Sequence, residues 1–240
     1  CGEAEFVPCP TFSAALRALS EGKTDACVLP IENTINGGVL QNMDLLACNA
    51  QLVAVKEYTL RIDHRLITLA GADRGKINRI FSHRQALDQC SGFLSTHYPQ
   101  AELIAENSTC IERATDAAIA GAQCAAEGYD VSPECISDEK NNYTHFLFVI
   151  RGELPEDFKS GKVYFTLTCN HVPGALMKLL SIINDYSLNM TKIESRPIKN
   201  RVGEYRFFIE VEGDYSAQKV KDALASLKAN TRSFRLIGAY

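Results

Sequence analysis

Apolar residues recur with two different periods along this chain, and their succession predicts its elements. Phe12, Ala15, Leu16 and Leu19 stand at i, i+3, i+4 and i+7, the spacing of one buried helix face. Thr11 is placed to cap that helix and Gly22 to end it. The short apolar run Ala26–Leu29 predicts a strand, and Pro30–Gly38 after it predicts a loop. Leu40, Met43 and Leu46 predict the next helix, and 51–58 and 65–70 predict strands. Residues 79–82 read as a strand running into a helix, with Ser82 and Gln85 forming a capping box and Ala86, Leu87, Cys90 and Leu94 facing inward. After a strand at 102–105, Thr109 with Glu112 predicts a second capping box ahead of an Ala-rich helix. Residues 142–150 end in another strand. This alternation predicts a mainly parallel α/β domain, whose ligands gather beyond the C-terminal ends of the strands.

Residues 151–161 are polar, contain Gly and Pro, and predict a linker. Beyond it the pattern is strand 162–169, helix 173–186, strand 188–195, strand 204–212, helix 216–228, strand 231–237. That βαββαβ order is ferredoxin-like. Pro173 fits the first turn of its helix because the fixed φ suits that position.

Composition narrows the possible functions. The 240 residues suffice for one large or two modest cores. A net charge of −4 argues against nucleic acid as a partner, so an anionic ligand must be held by local positive charge. No apolar run approaches the ~20 residues that span a bilayer, and no basic stretch followed by an apolar one opens the chain as a signal peptide would. A cytoplasmic protein without membrane contact is expected. Nine Cys without any C-x-x-C predict free, mostly buried thiols and no metal site.

Three segments carry candidate chemistry. Pro30–Val39 gathers a carboxylate, amides and a hydroxyl after a strand, as a ligand loop or an Asn/Gly turn would. Ser82-His83 opens a helix, where free N–H groups attract anions or are simply capped. Asn142-Tyr-Thr144-His145-Phe146 places a hydroxyl and an imidazole ahead of an apolar strand, although Thr is also a common strand former. The residues alone leave each pair of readings open.

Taken in order, these segments resemble the prephenate dehydratase family. Pro30-Ile-Glu-Asn-Thr-x-x-Gly-x-Val39 looks like its P-I-E-N-S-x-x-G-x-V, and Ser82-His-Arg-Gln-Ala-Leu-Asp-Gln-Cys90 looks like its S-H-P-Q-A-L-x-Q-C. Asn107-Ser108-Thr109 followed by Ala114 resembles S-T-x-x-A-A, and Asn142-x-Thr144-His145-Phe146 resembles N-x-T-R-F. Near the end, Pro173-Gly174-Ala175-Leu176 and Glu194-Ser195-Arg196-Pro197 match the G-A-L and E-S-R-P motifs of the phenylalanine-binding ACT module.

The resemblance implies a bilobal catalytic domain like the type II periplasmic binding proteins over 1–150, a linker over 151–161, and a ferredoxin-like ACT domain over 162–240. The first lobe would be about 1–58 plus 134–150, and the second about 59–133. It implies decarboxylating dehydration of prephenate to phenylpyruvate, with arogenate as the alternative substrate and a catalytically impaired phenylalanine sensor as the alternative role. Thr144 would donate the proton. Glu32, Asn33, Thr34, Gly37, Ser82, His83, Gln85, Ser108, Thr109, His145 and Phe146 would bind substrate. Gly174, Ala175, Leu176, Asn189, Glu194, Ser195, Arg196 and Pro197 would bind phenylalanine at the interface of a homodimer or homotetramer. No metal or organic cofactor is implied. Two departures stand out. The family's first strand and glycine loop are missing, so either the sequence is truncated or this copy is catalytically crippled. His145 replaces the Arg of T-R-F, and Arg84, where the family has Pro, is either a stand-in for the lost charge or a solvated first-turn side chain.

Overall fold

The computed structural model describes residues 4–106, 111–170, 172–198, 201 and 203–240. The chain divides into two compact units, Cys1–Thr59 with His145–Tyr240, and Leu60–Thr144.

The first unit opens with α1 (Phe12–Ser20), capped as predicted by Thr11, whose hydroxyl accepts from the Ala14 N–H at 3.1 Å. Next come β1 (Ala26–Asn33), β2 (Gly37–Gly38), α2 (Leu40–Cys48) and β3 (Leu52–Arg61). β1 does not stop at Leu29. It runs through Pro30–Asn33, because β2 pairs back on it with Glu32 opposite Gly38 and Asn33 opposite Gly37. Half of the expected loop is therefore the arm of a hairpin.

In the second unit, β4 (Arg65–Leu69), β5 (Arg79–Ser82), β6 (Glu102–Ala105), β7 (Asp116–Ala120) and β8 (Tyr129–Val131) form a five-stranded sheet in the order β6-β5-β7-β4-β8. The pairings of β5 are parallel and those of β4 antiparallel, so the sheet is mixed where a mainly parallel one was expected. α3 (Arg84–Gln89) and α4 (Ser91–His97) replace the single helix predicted after Ser82. The predicted Ala-rich helix is strand β7. Four of its five residues are buried in the middle of the sheet, where small side chains accept cover on both faces.

Residues 134–144, expected in the first lobe, lie in the second unit. The Ile136 N–H donates to His64 O at 2.9 Å, and Asn142 O accepts from the Ile62 N–H at 2.8 Å. β9 (Tyr143–Arg151) then leads back into the first unit. Beyond it, β10 (Lys162–Thr168), α5 (Ala175–Asp185), β11 (Met190–Pro197), β12 (Tyr205–Glu212), α6 (Gln218–Asn230) and β13 (Ser233–Ala239) have the expected βαββαβ order. The β10–β12, β10–β13 and β11–β12 pairings are all antiparallel.

These four strands join those of the N-terminal segment in one eight-stranded sheet, β11-β12-β10-β13-β3-β9-β1-β2. Tyr164, Phe208 and Ile237 share a single buried cluster with Leu29, Met43 and Leu147. The faces of α5 and α6 pack on a separate cluster around Phe165, Leu179, Ile209 and Leu227.

Seven cysteines among the described residues are free. Cys27 and Cys90 are buried, and burial pushes their thiols up to about 11 and about 12. Cys48 and Cys124 are exposed, so the thiols are not mostly buried. Among the described residues no helix is long and apolar enough to cross a membrane.

Candidate active and effector sites

The hairpin of β1 and β2 presents the first motif. Asn33 is buried, and its carboxamide oxygen accepts from the Ile35 and Asn36 N–H groups at 3.1 and 3.0 Å, which closes the turn. The fully buried Asn42 of α2 donates to Pro30 O at 2.7 Å and fixes the strand from behind. Thr34 and Gly37 are exposed. Glu32 is half exposed and forms an ion pair with Lys192 of β11.

A cavity of about 170 Å³ lies inside this unit, and Glu32 and His145 both line it, together with Glu57, Lys162, Tyr164 and Glu210. His145 Nδ1 is 3.0 Å from Thr59 Oγ1 and 3.3 Å from Glu57 Oε1. Lys162 bridges Glu57 at 2.9 Å and Glu210 at 3.3 Å. Burial opposes the charge on Lys162, but its two carboxylate partners outweigh that and hold its pKa above the usual lysine value. Glu210 is 7% exposed; burial would raise its pKa, yet donors from Thr191, Tyr240 and Lys162 bring it below the ordinary carboxylate value. Tyr164 is 1% exposed, its hydroxyl has no hydrogen-bond partner among the described residues, and burial keeps it protonated.

In the second unit Ser82 is not the helix cap. Its hydroxyl is buried and donates to Ile119 O at 2.6 Å, pinning β5 to β7. His83 takes the cap, with Nδ1 accepting from the Gln85 N–H at 3.3 Å. The side chains of His83 and Gln85 are exposed. Arg84 is turned along its own helix to Asp88 at 3.1 Å and its side chain is 76% exposed, the arrangement of a solvated surface pair rather than of a stand-in for a missing Arg.

At the far end of α3, Gln89 Oε1 accepts from His64 Nε2 at 2.8 Å and from Asn142 Nδ2 at 3.0 Å. Asn142 is fully buried, so this network fixes the entry to β9 two residues before the half-buried Thr144. Residue-type reasoning passed over Gln89 and Asn142, although both are letters of the motifs in which they stand. Phe146 is half buried on β9. Ser108 and Thr109 lie outside the described residues.

A second cavity, of about 620 Å³, brings Gly174, Ala175 and Leu176 together with Asn170, Tyr205 and Phe207. Gly174 caps α5 with φ +79°, left-handed backbone. The other expected effector residues lie elsewhere within one chain. Asn189 donates to Glu212 at 2.9 Å, and Arg196 reaches Asp44 of α2 at 2.8 Å. Glu194 is half buried, whereas Ser195 and Pro197 are exposed. Among the described residues no group of three or more His, Cys, Asp or Glu side chains is placed to hold a metal ion.

Comparison with known proteins points to one family. The family model described as prephenate dehydratase matches residues 2–153. A bifunctional chorismate mutase/prephenate dehydratase from Neisseria gonorrhoeae is 36% identical over 247 aligned positions, covering 99% of this chain and 67% of that protein. A prephenate dehydratase from Arthrobacter aurescens, solved in complex with L-Phe, superposes with a TM-score of 0.86 at 30% identity, covering 98% of this chain and 81% of that one. GqqA, described as a novel type of quorum quenching acylase, superposes with a TM-score of 0.84 at 26% identity, covering 98% and 88%. By its motifs, its fold and these matches, the chain belongs to the prephenate dehydratase family.

Proposed function

We propose that the protein converts prephenate to phenylpyruvate and is inhibited by phenylalanine. The observation that carries the reaction is the family match over 2–153, which takes in the Glu32, Gln89 and Thr144 motifs together. In the reaction the electron pair of the ring C–CO₂⁻ bond moves into the ring, carbon dioxide leaves, and the ring hydroxyl departs from the opposite carbon. Thr144 gives its proton to that hydroxyl, so water is released, and the alkoxide is reprotonated from solvent. Aromatisation drives the step, and the protein's task is to hold the dianion and place the proton. Asn142 and Gln89 support this role by fixing the strand entry that carries Thr144.

Phenylalanine would occupy the cavity at Gly174–Leu176, where glycine allows close backbone approach and the N-terminus of α5 favours a carboxylate. Glu194–Pro197 lies on β11, whereas Gly174–Leu176 opens α5, so a homodimer or homotetramer, working in the cytoplasm, is the form in which both motifs reach one ligand.

The test is a direct assay of phenylpyruvate release by the natural full-length protein, with arogenate offered in parallel. Turnover of prephenate that phenylalanine suppresses is expected. Faster turnover of arogenate would reassign the substrate. Acylase activity without dehydration would assign the chain to the chemistry described for GqqA.

A further inference from the structure

Lys192 stands in β11 directly before Ile193-Glu194-Ser195-Arg196-Pro197, yet its ammonium group is spent on Glu32 of the substrate motif. Alternation along the strand makes this possible. Lys192, Glu194 and Arg196 are half buried on one face, while Ile193, Ser195 and Pro197 are exposed on the other. Two of the three half-buried residues tie β11 to the N-terminal segment: Lys192 to Glu32, and Arg196 to Asp44 of α2. The Lys192 side chain is 15% exposed against 40% for Glu32, so the lysine is the sheltered member and the carboxylate the presented one.

The neighbouring residue makes a second connection. Thr191 donates to Glu210, which pairs with Lys162, which pairs with Glu57, which faces His145. Adjacent residues of β11 thus reach both motif residues of the 170 Å³ cavity, Glu32 and His145.

We propose that Lys192 is a positioning residue: it holds the direction of the Glu32 carboxylate for substrate, and so makes β11 the element through which phenylalanine and prephenate sense one another. This rests on the dehydratase reading above. A half-sheltered charge partner of this kind holds a binding group in one geometry, and misplacing such a group by about 1 Å costs up to ~10² in kcat/KM. The loss should fall on KM, since Glu32 can hold the substrate only by accepting from its ring hydroxyl, and without Lys192 the uncompensated carboxylate would repel the dianion.

The experiment uses the full-length protein with Lys192→Met, Lys192→Gln and Lys192→Arg, each first shown to be folded by thermal melting. The neutral variants should raise KM for prephenate roughly tenfold or more with little change in kcat. Arg, which keeps the charge, should restore most of the loss. Phenylalanine should still bind the neutral variants by calorimetry but inhibit them at least about fivefold less, the lower end of ordinary coupling. Glu32→Gln with Lys192→Met should be no worse than Glu32→Gln alone, because one interaction is removed twice. Wild-type KM and wild-type inhibition in either folded neutral variant would overturn the proposal. Wild-type protein that forms no phenylpyruvate would instead defeat the dehydratase reading.

Discussion

Gly238 of β13 pairs in parallel with Ala54 of β3, and a Cβ added at Gly238 would lie 2.3 Å from the Ala54 carbonyl oxygen. No side chain fits there without parting the strands. The contact is the register point at which the sheet of the last 80 or so residues becomes continuous with that of the N-terminal segment. Gly238→Ala should therefore destabilise the protein by about 1–3 kcal/mol, the usual cost of forcing a methyl into a filled site. Thermal melting checks it, and an unchanged midpoint would mean that the strands yield freely.

Thr144 follows the buried Asn142, which is bonded to Gln89, by two residues and is itself half buried. Thr144→Ala should lower turnover by ~10²–10⁴, the scale of a lost general acid, with KM almost unchanged. Steady-state assay of phenylpyruvate release measures both quantities, and full activity would remove Thr144 from the mechanism.

The βαββαβ segment was legible because each helix there buries one stripe and each strand announces its own period. Leu179 and Ile183 on α5, and Val220, Ala223 and Leu227 on α6, are the stripes that face the sheet. The Asp116–Ala120 segment was misread because alanine has high helix propensity, while burial in a central strand overrides propensity. Ser82 looked like a cap because the Ser-x-x-Gln spacing is local, whereas its hydrogen bond goes to Ile119, 37 residues away. The motifs pointed to Glu32 and Thr144 as candidate chemistry, but the Lys192–Glu32 pair spans 160 residues and has no local signature.

Glu210 gives the acid limit of stability a cause. Its folded pKa lies below the ordinary carboxylate value, since Thr191, Tyr240 and Lys162 all donate to it. A depressed carboxylate stabilises the fold fully above its unfolded pKa and loses that contribution as pH falls through the folded value. Glu210→Gln should thus lower the melting temperature most near pH 7, with the gap to wild type closing below about pH 4. Melting curves at pH 7, 5 and 3 decide it, and a gap that widens on acidification would reverse the assignment.

Gly174 separates backbone strain from ligand loss, which makes it the sharpest test of the effector cavity. Its φ of +79° suits glycine, and beyond its chain neighbours a Cβ there would meet no atom of the described residues within 4 Å. A substitution is therefore opposed by the backbone conformation and not by a clash with the protein. Valine, branched at Cβ, tolerates that region worst, so Gly174→Val should cost about 1–3 kcal/mol locally. Asparagine visits left-handed backbone far more readily, so Gly174→Asn should melt close to wild type. Both side chains would nonetheless project from the wall of the 620 Å³ cavity that Gly174 lines. If phenylalanine sits there, both variants lose its heat of binding in calorimetry on the full-length protein, and both become resistant to inhibition. Binding that survives in well-folded Gly174→Asn would place the effector elsewhere. Loss in valine alone would show that the helix start must keep its shape but does not touch the ligand.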